Sequence, residues 1–134
     1  MKKILIAAAG IAACLTLAVA HDHEEFQAAM KATNVNVGTL RKTVAAKQEA
    51  ETVAAAEKLV PLYKHVLEHF EEHKMQDGIA FAKTGLEASE QLAAAAKAGD
   101  WDKAGAELKA IGGTCQGCHA AHREKLPDGT YKMK

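Results

Sequence analysis

Aromatic side chains make up 4% of this 134-residue chain, with one tryptophan among them. β-Branched residues are also sparse, and no stretch alternates apolar and polar residues for long. A sheet-based core is therefore not expected. Only two prolines, Pro61 and Pro127, are present to interrupt a helix. Neither sign of charge is in excess: 17 Lys and Arg face 17 Asp and Glu, and nothing points to a nucleic-acid partner. No repeat or low-complexity linker divides the chain. No general acid, base or nucleophile stands out, so no enzymatic turnover is expected.

The one long apolar run, Ile4 to Val19, is broken by Gly10 and Thr16 and is short for a membrane span. It follows a basic start, Met1-Lys2-Lys3, and precedes Ala18-Val19-Ala20, a small-x-small cleavage site. Residues 1–20 therefore read as a cleaved secretory signal peptide, leaving one domain over 21–134 and no stable membrane insertion. Ile11-Ala12-Ala13-Cys14 loosely matches a lipoprotein box, but mostly apolar residues continue past Cys14, which favours signal over a lipid anchor. Removing Lys2 and Lys3 from the 17 basic residues leaves 15 against 17 acidic ones, a formal charge of −2.

What the chain does have is alanine, lysine, glutamate and leucine in helical rhythm. From about Asp22 to Lys47 the stripe is Phe26, Met30, Thr33, Val37, Leu40 and Val44, stepping by four and three. A second helix is expected from Glu49 to His73 on Val53, Ala56, Val60, Tyr63, Leu67 and Phe70, with a kink or break just before Pro61. A third, Gln76 to Ala98, turns Ile79, Ala82, Leu86, Ser89, Ala93 and Ala96 inward and stops at Gly99. Asp100 is a natural N-cap for a fourth, whose stripe is Trp101, Ala104, Leu108, Ile111, Cys115, Cys118 and His122. Gly112 and Gly113 lie within it, read as room for close approach or else as a local break. Pro127-Asp128-Gly129 ends the helix and turns into a short tail. Four amphipathic helices with short connections imply an all-α, antiparallel four-helix bundle.

Cys115-Gln116-Gly117-Cys118-His119 carries the chemistry. C-x-x-C-H is the attachment signature of haem c: two thiols bond covalently to the porphyrin edge and the imidazole reaches the iron. Offsets of three and four put residues 115, 118 and 119 on one helix face. A zinc site would want a second ligand pair, and Cys14 is the only other cysteine. A thioredoxin-like dithiol wants a strand–helix–strand setting, which is missing. One covalent haem c is thus expected, with no structural disulfide. Bacterial haem attachment takes place outside the inner membrane, which agrees with export to the periplasm.

Other histidines offer rival sites. His65, His69 and His73 recur every four residues, but the second helix's stripe turns His65 and His69 to solvent among Glu68, Glu71 and Glu72. His21 and His23, with a new amino terminus, could chelate copper or nickel, although terminal histidines are often unstructured. His122 follows His119 by three residues on the same helix, so it shares His119's side of the haem. Its expected role is packing or a surface hydrogen bond.

The chain resembles the class II cytochromes c, the cytochrome c-prime group. The resemblance rests on Gly99-Asp100-Trp101-Asp102-Lys103, Ile111-Gly112, Cys115 to His119, and Ala121-His122-Arg123-Glu124-Lys125. The family implies a haem near the C-terminus of a four-helix bundle, with His119 as axial ligand. Its high-spin members leave the iron five-coordinate and bind nitric oxide or carbon monoxide. Its low-spin members place a methionine over the far face and carry electrons. Phe26-Gln27-Ala28-Ala29-Met30-Lys31 looks like the low-spin arrangement, so the expectation is a periplasmic one-electron carrier with His119 and Met30 on the iron. The alternative is a five-coordinate gas-binding protein with Met30 only a core residue. Met75 at an interhelix turn and Met133 in the tail compete poorly with Met30. Arg123 falls where the family keeps a basic residue beside the proximal imidazole; its other reading is a solvated arginine. The family's propionate-binding arginine has no equivalent, since Arg41 lies eleven residues past Met30. Redox partner proteins are implied, and the family's habit of pairing through its first two helices suggests a homodimer. Arg123, Lys125, Lys132 and Lys134, against Glu124 and Asp128, read either as a positive rim that steers an acidic partner or equally as solvated charge at a helix C-terminus.

Overall fold

A computed structural model describes the backbone from Leu5 and side chains from His23 onward. Residues 1–20, read above as a leader, with Cys14, and His21 beyond them, lie outside the residues whose side chains are described. The elements are α1 (Leu5–Ala45), α2 (Glu49–Glu72), α3 (Gln76–Lys97), α4 (Trp101–His122), β1 (Arg123–Lys125) and β2 (Tyr131–Met133). Among the described residues no helix is long and apolar enough to cross a membrane.

One device makes all three helix reversals. Lys47, Lys74 and Gly99 each take a left-handed backbone, with φ of 54°, 55° and 71°. Each closes its helix with the same pair of bonds. Gln48 N–H donates to Thr43 O, Met75 N–H to Phe70 O and Asp100 N–H to Ala95 O, at 2.9–3.0 Å. The preceding amides, of Lys47, Lys74 and Gly99, donate three residues back. These are Schellman closures, which satisfy carbonyls that a helix end leaves without partners. Only the third uses the glycine the sequence advertises; the two lysines accept a strain of about 1 kcal/mol each. Asp100 caps α4 as expected, its carboxylate accepting from Lys103 N–H at 3.0 Å.

The helices run up and down, α2 against α1 and α3, and α4 against α3 and α1. The stripe in α1 holds as read: Phe26, Thr33, Val37 and Leu40 are buried. The α2 stripe is turned by about one residue from the expected one. It is Thr52, Ala55, Ala56, Leu59, Tyr63, Val66, His69 and Phe70 that are buried. His69 is thus a correction: it is 7% exposed, its ring 4.2 Å from that of Phe26 and 4.5 Å from that of His73. The expected break at Pro61 does not occur, because α2 is continuous through it. Pro61 is exposed, so water can satisfy the carbonyl its missing N–H abandons.

Glycines in α3 set the register against α2. A Cβ at Gly85 would collide with the Tyr63 ring, and one at Gly78 would lie 2.5 Å from the Phe70 ring. Both pairs fix the same antiparallel register, which sets Val66 opposite Ala82 and Leu59 opposite Ser89. Large residues on α2 meet small ones on α3, so the two axes approach closely and the aromatic rings remain buried.

Beyond His122 the chain departs from expectation. The tail is an antiparallel hairpin, with Arg123 opposite Met133 and Lys125 opposite Tyr131. Pro127-Asp128-Gly129 lies in its turn. Gly129 has φ +86°, and the Asp128 carboxylate accepts from the N–H and hydroxyl of Thr130. Lys134 N–H donates to His122 O at 2.8 Å, tying the hairpin back to α4.

Candidate haem-attachment site

Cys115, Cys118 and His119 sit together on the last turns of α4, all half-buried, with both cysteines free. Facing them is an inner cleft of about 40 Å³ lined by Met30, Thr33, Tyr63, Val66, Phe70, Phe81, Ala82 and Thr114. Among the described residues no lysine, arginine, aspartate or glutamate borders it. An outer cavity of about 400 Å³ adjoins it, opening between α1 and the hairpin. Met30, Cys118 and His119 line both spaces. The structure therefore brings the first helix's methionine to the attachment motif, as the stripe predicts.

Each motif position has a local reason. Gly117 is the tight one: a Cβ there would lie 2.6 Å from the Phe81 ring, so Phe81 can pack onto the backbone of the motif. Gly112 and Gly113 do not break α4, and a Cβ added at either would meet no other part of the protein within 4 Å. Burial first, then the Cys115 thiol and the Asp77 carboxylate, push the Cys118 thiol up to about 11. A protonated, sheltered thiol is the opposite of the activated thiolate of a dithiol oxidoreductase. Burial, followed by the neighbouring Cys115, likewise pushes up the Tyr63 hydroxyl, which stays protonated 3.8 Å from Cys115 Sγ. His119 is held below the ordinary imidazole value by burial and then by the Arg123 guanidinium. A neutral imidazole is the form that ligates iron. Arg123 is thus an electrostatic neighbour of His119, and its guanidinium lies 3.7 Å from the centre of the Tyr131 ring.

His122 makes the surface hydrogen bond expected of it. Its Nε2–H donates to Asp77 Oδ2 at 2.8 Å, joining the end of α4 to the start of α3. Desolvation alone would raise the Asp77 carboxyl. The Gly78 N–H at 2.9 Å and His122 outweigh it, and the group titrates below its ordinary 3.8. A carboxylate with a lowered pKa stabilises the fold above the ordinary value, and that contribution is lost as pH falls through the lowered one. Asp77→Asn is therefore expected to unfold at lower denaturant than the parent at neutral pH. The gap should narrow as the pH is taken below the ordinary carboxylate value and through the lowered one, where the parent carboxyl also protonates. An equal gap at both pH values would contradict this.

The rival sites fare differently. Among the described residues no group of three or more His, Cys, Asp or Glu could hold a metal ion. His23 accepts from Gln27 Nε2–H at 3.0 Å and lines the outer cavity. Met133, assigned to a tail by its position, packs against the cluster of Phe26, Val66 and Phe70 and lines the outer cavity with Met30. Sequence reasoning also passed over Phe81 and the role of Tyr63.

Free paired thiols, a neutral imidazole and an apolar cleft fit a covalently held macrocycle. These features, at the end of the last helix of a four-helix bundle, define a c-type haem protein. Residues 80–123 match the family model described as Cytochrome C'. A cytochrome c' of Pararhodospirillum photometricum is 49% identical over 45 residues, which is 34% of this chain and 36% of that relative. The matched segment thus spans about a third of the relative's length. The bundle superposes on cytochrome c' from Rubrivivax gelatinosus with a TM-score of 0.63 and 20% identity, covering 74% of this chain and 91% of that one. For a ferrous variant of cytochrome c prime from Alcaligenes xylosoxidans with bound NO, the values are 0.65, 22%, 84% and 94%. A cytochrome c' with ligand-controlled dimer dissociation gives 0.65, 18%, 85% and 95%. At these identities the structural likeness establishes the fold. It is the segment of residues 80–123 that is similar to cytochrome c', and within it Cys115 and Cys118 hold one haem c covalently.

Proposed function

We propose that the protein is an exported cytochrome of the c' kind, matured by removal of residues 1–20 and working in the periplasm. Its iron takes His119 on one side and leaves the other open to a small neutral molecule such as nitric oxide or carbon monoxide. The observation that carries this reading is the match of the haem-bearing segment, residues 80–123, to cytochrome c'. A relative of the same fold has NO bound in its ferrous form. The cleft chemistry agrees, since Val66, Phe70 and Ala82 exclude charged ligands more strongly than neutral diatomics. When bound, the haem supplies a one-electron couple and a site for a π-acceptor ligand. The chain's own contribution is to hold it by two thioethers, ligate it through His119, and bias His119 through Arg123.

The reading of Met30 as a sixth ligand, which would make a low-spin electron carrier, keeps one observation in its favour: Met30 lines both spaces that His119 lines. A thioether ligand favours ferrous iron and raises the reduction potential. Optical spectra of both oxidation states, with carbon monoxide added to the reduced protein, separate the two. Prompt carbon monoxide binding to a high-spin ferrous protein is expected. A low-spin spectrum that ignores carbon monoxide would overturn the open-site reading and leave the carrier. In either case the partners are redox proteins, no turnover is proposed, and a homodimer is to be tested by sedimentation of the holoprotein.

A further inference from the structure

The two adjoining spaces differ in charge. The inner cleft, which alone includes Cys115, holds no lysine, arginine, aspartate or glutamate. The outer cavity is lined by Lys31 from α1 and by Arg123 and Lys132 from the hairpin, and among the described residues no carboxylate lines it. A haem c carries its two carboxylates on the edge away from its thioethers. With the thioether edge fixed at Cys115 and Cys118, burying those carboxylates in the apolar cleft would be costly, so they belong in the outer cavity. The first helix lacks the arginine that would meet them in the resembled family, and α1 alone offers only Lys31 near the motif.

We propose that Lys31 on α1 and Lys132 on β2, with Arg123 beside them, receive the haem propionates and latch the C-terminal hairpin to the first helix. The inference rests on the haem reading. Lys31 and Lys132 both lie outside the matched segment 80–123, so the match itself says nothing of them. The hairpin carries Lys132 in the lining of the outer cavity, across the strand pair from Glu124. Its strands pair from Arg123–Met133 to Lys125–Tyr131, Met133 packs into the Phe26 and Phe70 cluster, and the Tyr131 ring carries Arg123. Lys132 Nζ lies 3.3 Å from Glu124 Oε2, a half-exposed pair at the surface that a propionate can compete with. The other titratable groups bordering the outer cavity are His23 on α1, Cys118, His119 and His122 on α4, and Tyr131 on β2.

The test uses holoprotein, with haem attachment checked first by mass and colour. Colourless parent protein would mean that the haem reading had failed, not the latch. The propionate titration is followed through the pH dependence of the reduction potential, in parent protein and in Lys31→Met/Lys132→Met. Loss of both cations should raise the acid dissociation pH by about one unit, a tenfold change, since an opposite charge nearby shifts a carboxyl by one unit or more. Glu124→Gln, which frees Lys132 without touching the haem motif, should move the titration the other way, and Lys132→Arg should restore the parent curve. Lys125→Met removes a hairpin cation that does not line the cavity and should change nothing. Superimposable curves for the parent, the double variant and Glu124→Gln would overturn the latch. So would a Lys125→Met effect as large as that of the double variant.

Discussion

Phe70→Ala is expected to lower the unfolding free energy by about 3–5 kcal/mol, the range for deleting a fully buried phenylalanine. Phe70 is 0% exposed and reaches neighbours on each of the other helices. Its ring centroid lies 5.8 Å from those of Phe26 on α1 and His122 on α4, and its edge packs onto Gly78 of α3. Each side of the vacated space is held by a different helix, so collapse into it is limited and the cavity cost persists. The counterpart is Gly78→Ala. In an exposed helix that change would stabilise by about 1 kcal/mol. Here the added Cβ would sit 2.5 Å from the ring, so the sign should reverse. Pairing Gly78→Ala with Phe70→Leu should recover part of the loss, giving a favourable coupling in a double-mutant cycle measured by chemical unfolding of the holoprotein. Additive losses would mean that the close approach of α2 and α3 is not what Gly78 provides.

These contacts also indicate what the sequence could and could not reveal. The α1 and α4 stripes were legible because apolar side chains mark them at steps of three and four, and the haem motif lies on one of them. The α2 stripe was read one residue off. Its burial runs through Thr52, Ala55 and Val66, while Val53, Val60 and Leu67 beside it are as apolar and only half-buried. Only α3 decides between the two faces, since Tyr63 and Phe70 must turn toward Gly85 and Gly78. Nothing local to α2 encodes that, and His69 was carried to the wrong side with it. Pro127-Asp128-Gly129 was legible as a turn but not as a hairpin, because strands of three residues are too short to show alternation. Lys47 and Lys74 adopt a conformation that glycine usually marks, so two of three reversals carried no composition signal.

The same limits bear on the site. Thiol spacing fixed where the haem attaches, and helical periodicity brought Met30 to it. The outer cavity could not be foreseen, because it is closed by residues of the hairpin nearly a hundred positions after those of α1 that face them. Its walls come from elements at the two ends of the chain. The outer surroundings of His119 are therefore a property of the tertiary fold, whereas the motif that holds the haem is local to one helix.

Met30→Ala is expected to speed carbon monoxide binding to the reduced protein by about tenfold, the rate equivalent of about 1.4 kcal/mol off the barrier to entry. Met30 is half-buried, borders both the inner cleft and the outer cavity, and packs with Phe26, Val66 and Phe70. A long, flexible thioether at that junction must move aside for a molecule passing from the wide space to the narrow one. Truncation removes the obstruction and leaves His119, Arg123 and both thioether cysteines in place. If the iron is open on that side, as proposed, the resting optical spectrum should be unchanged while the association rate rises. Stability should also fall by about 2–5 kcal/mol or less, since the side chain is only partly buried, so the rate is to be measured well below the unfolding transition. A resting spectrum that turns from low-spin to high-spin on this substitution would show that the sulfur had been on the iron. An unchanged rate with an unchanged spectrum would show that ligands enter by a path that avoids α1.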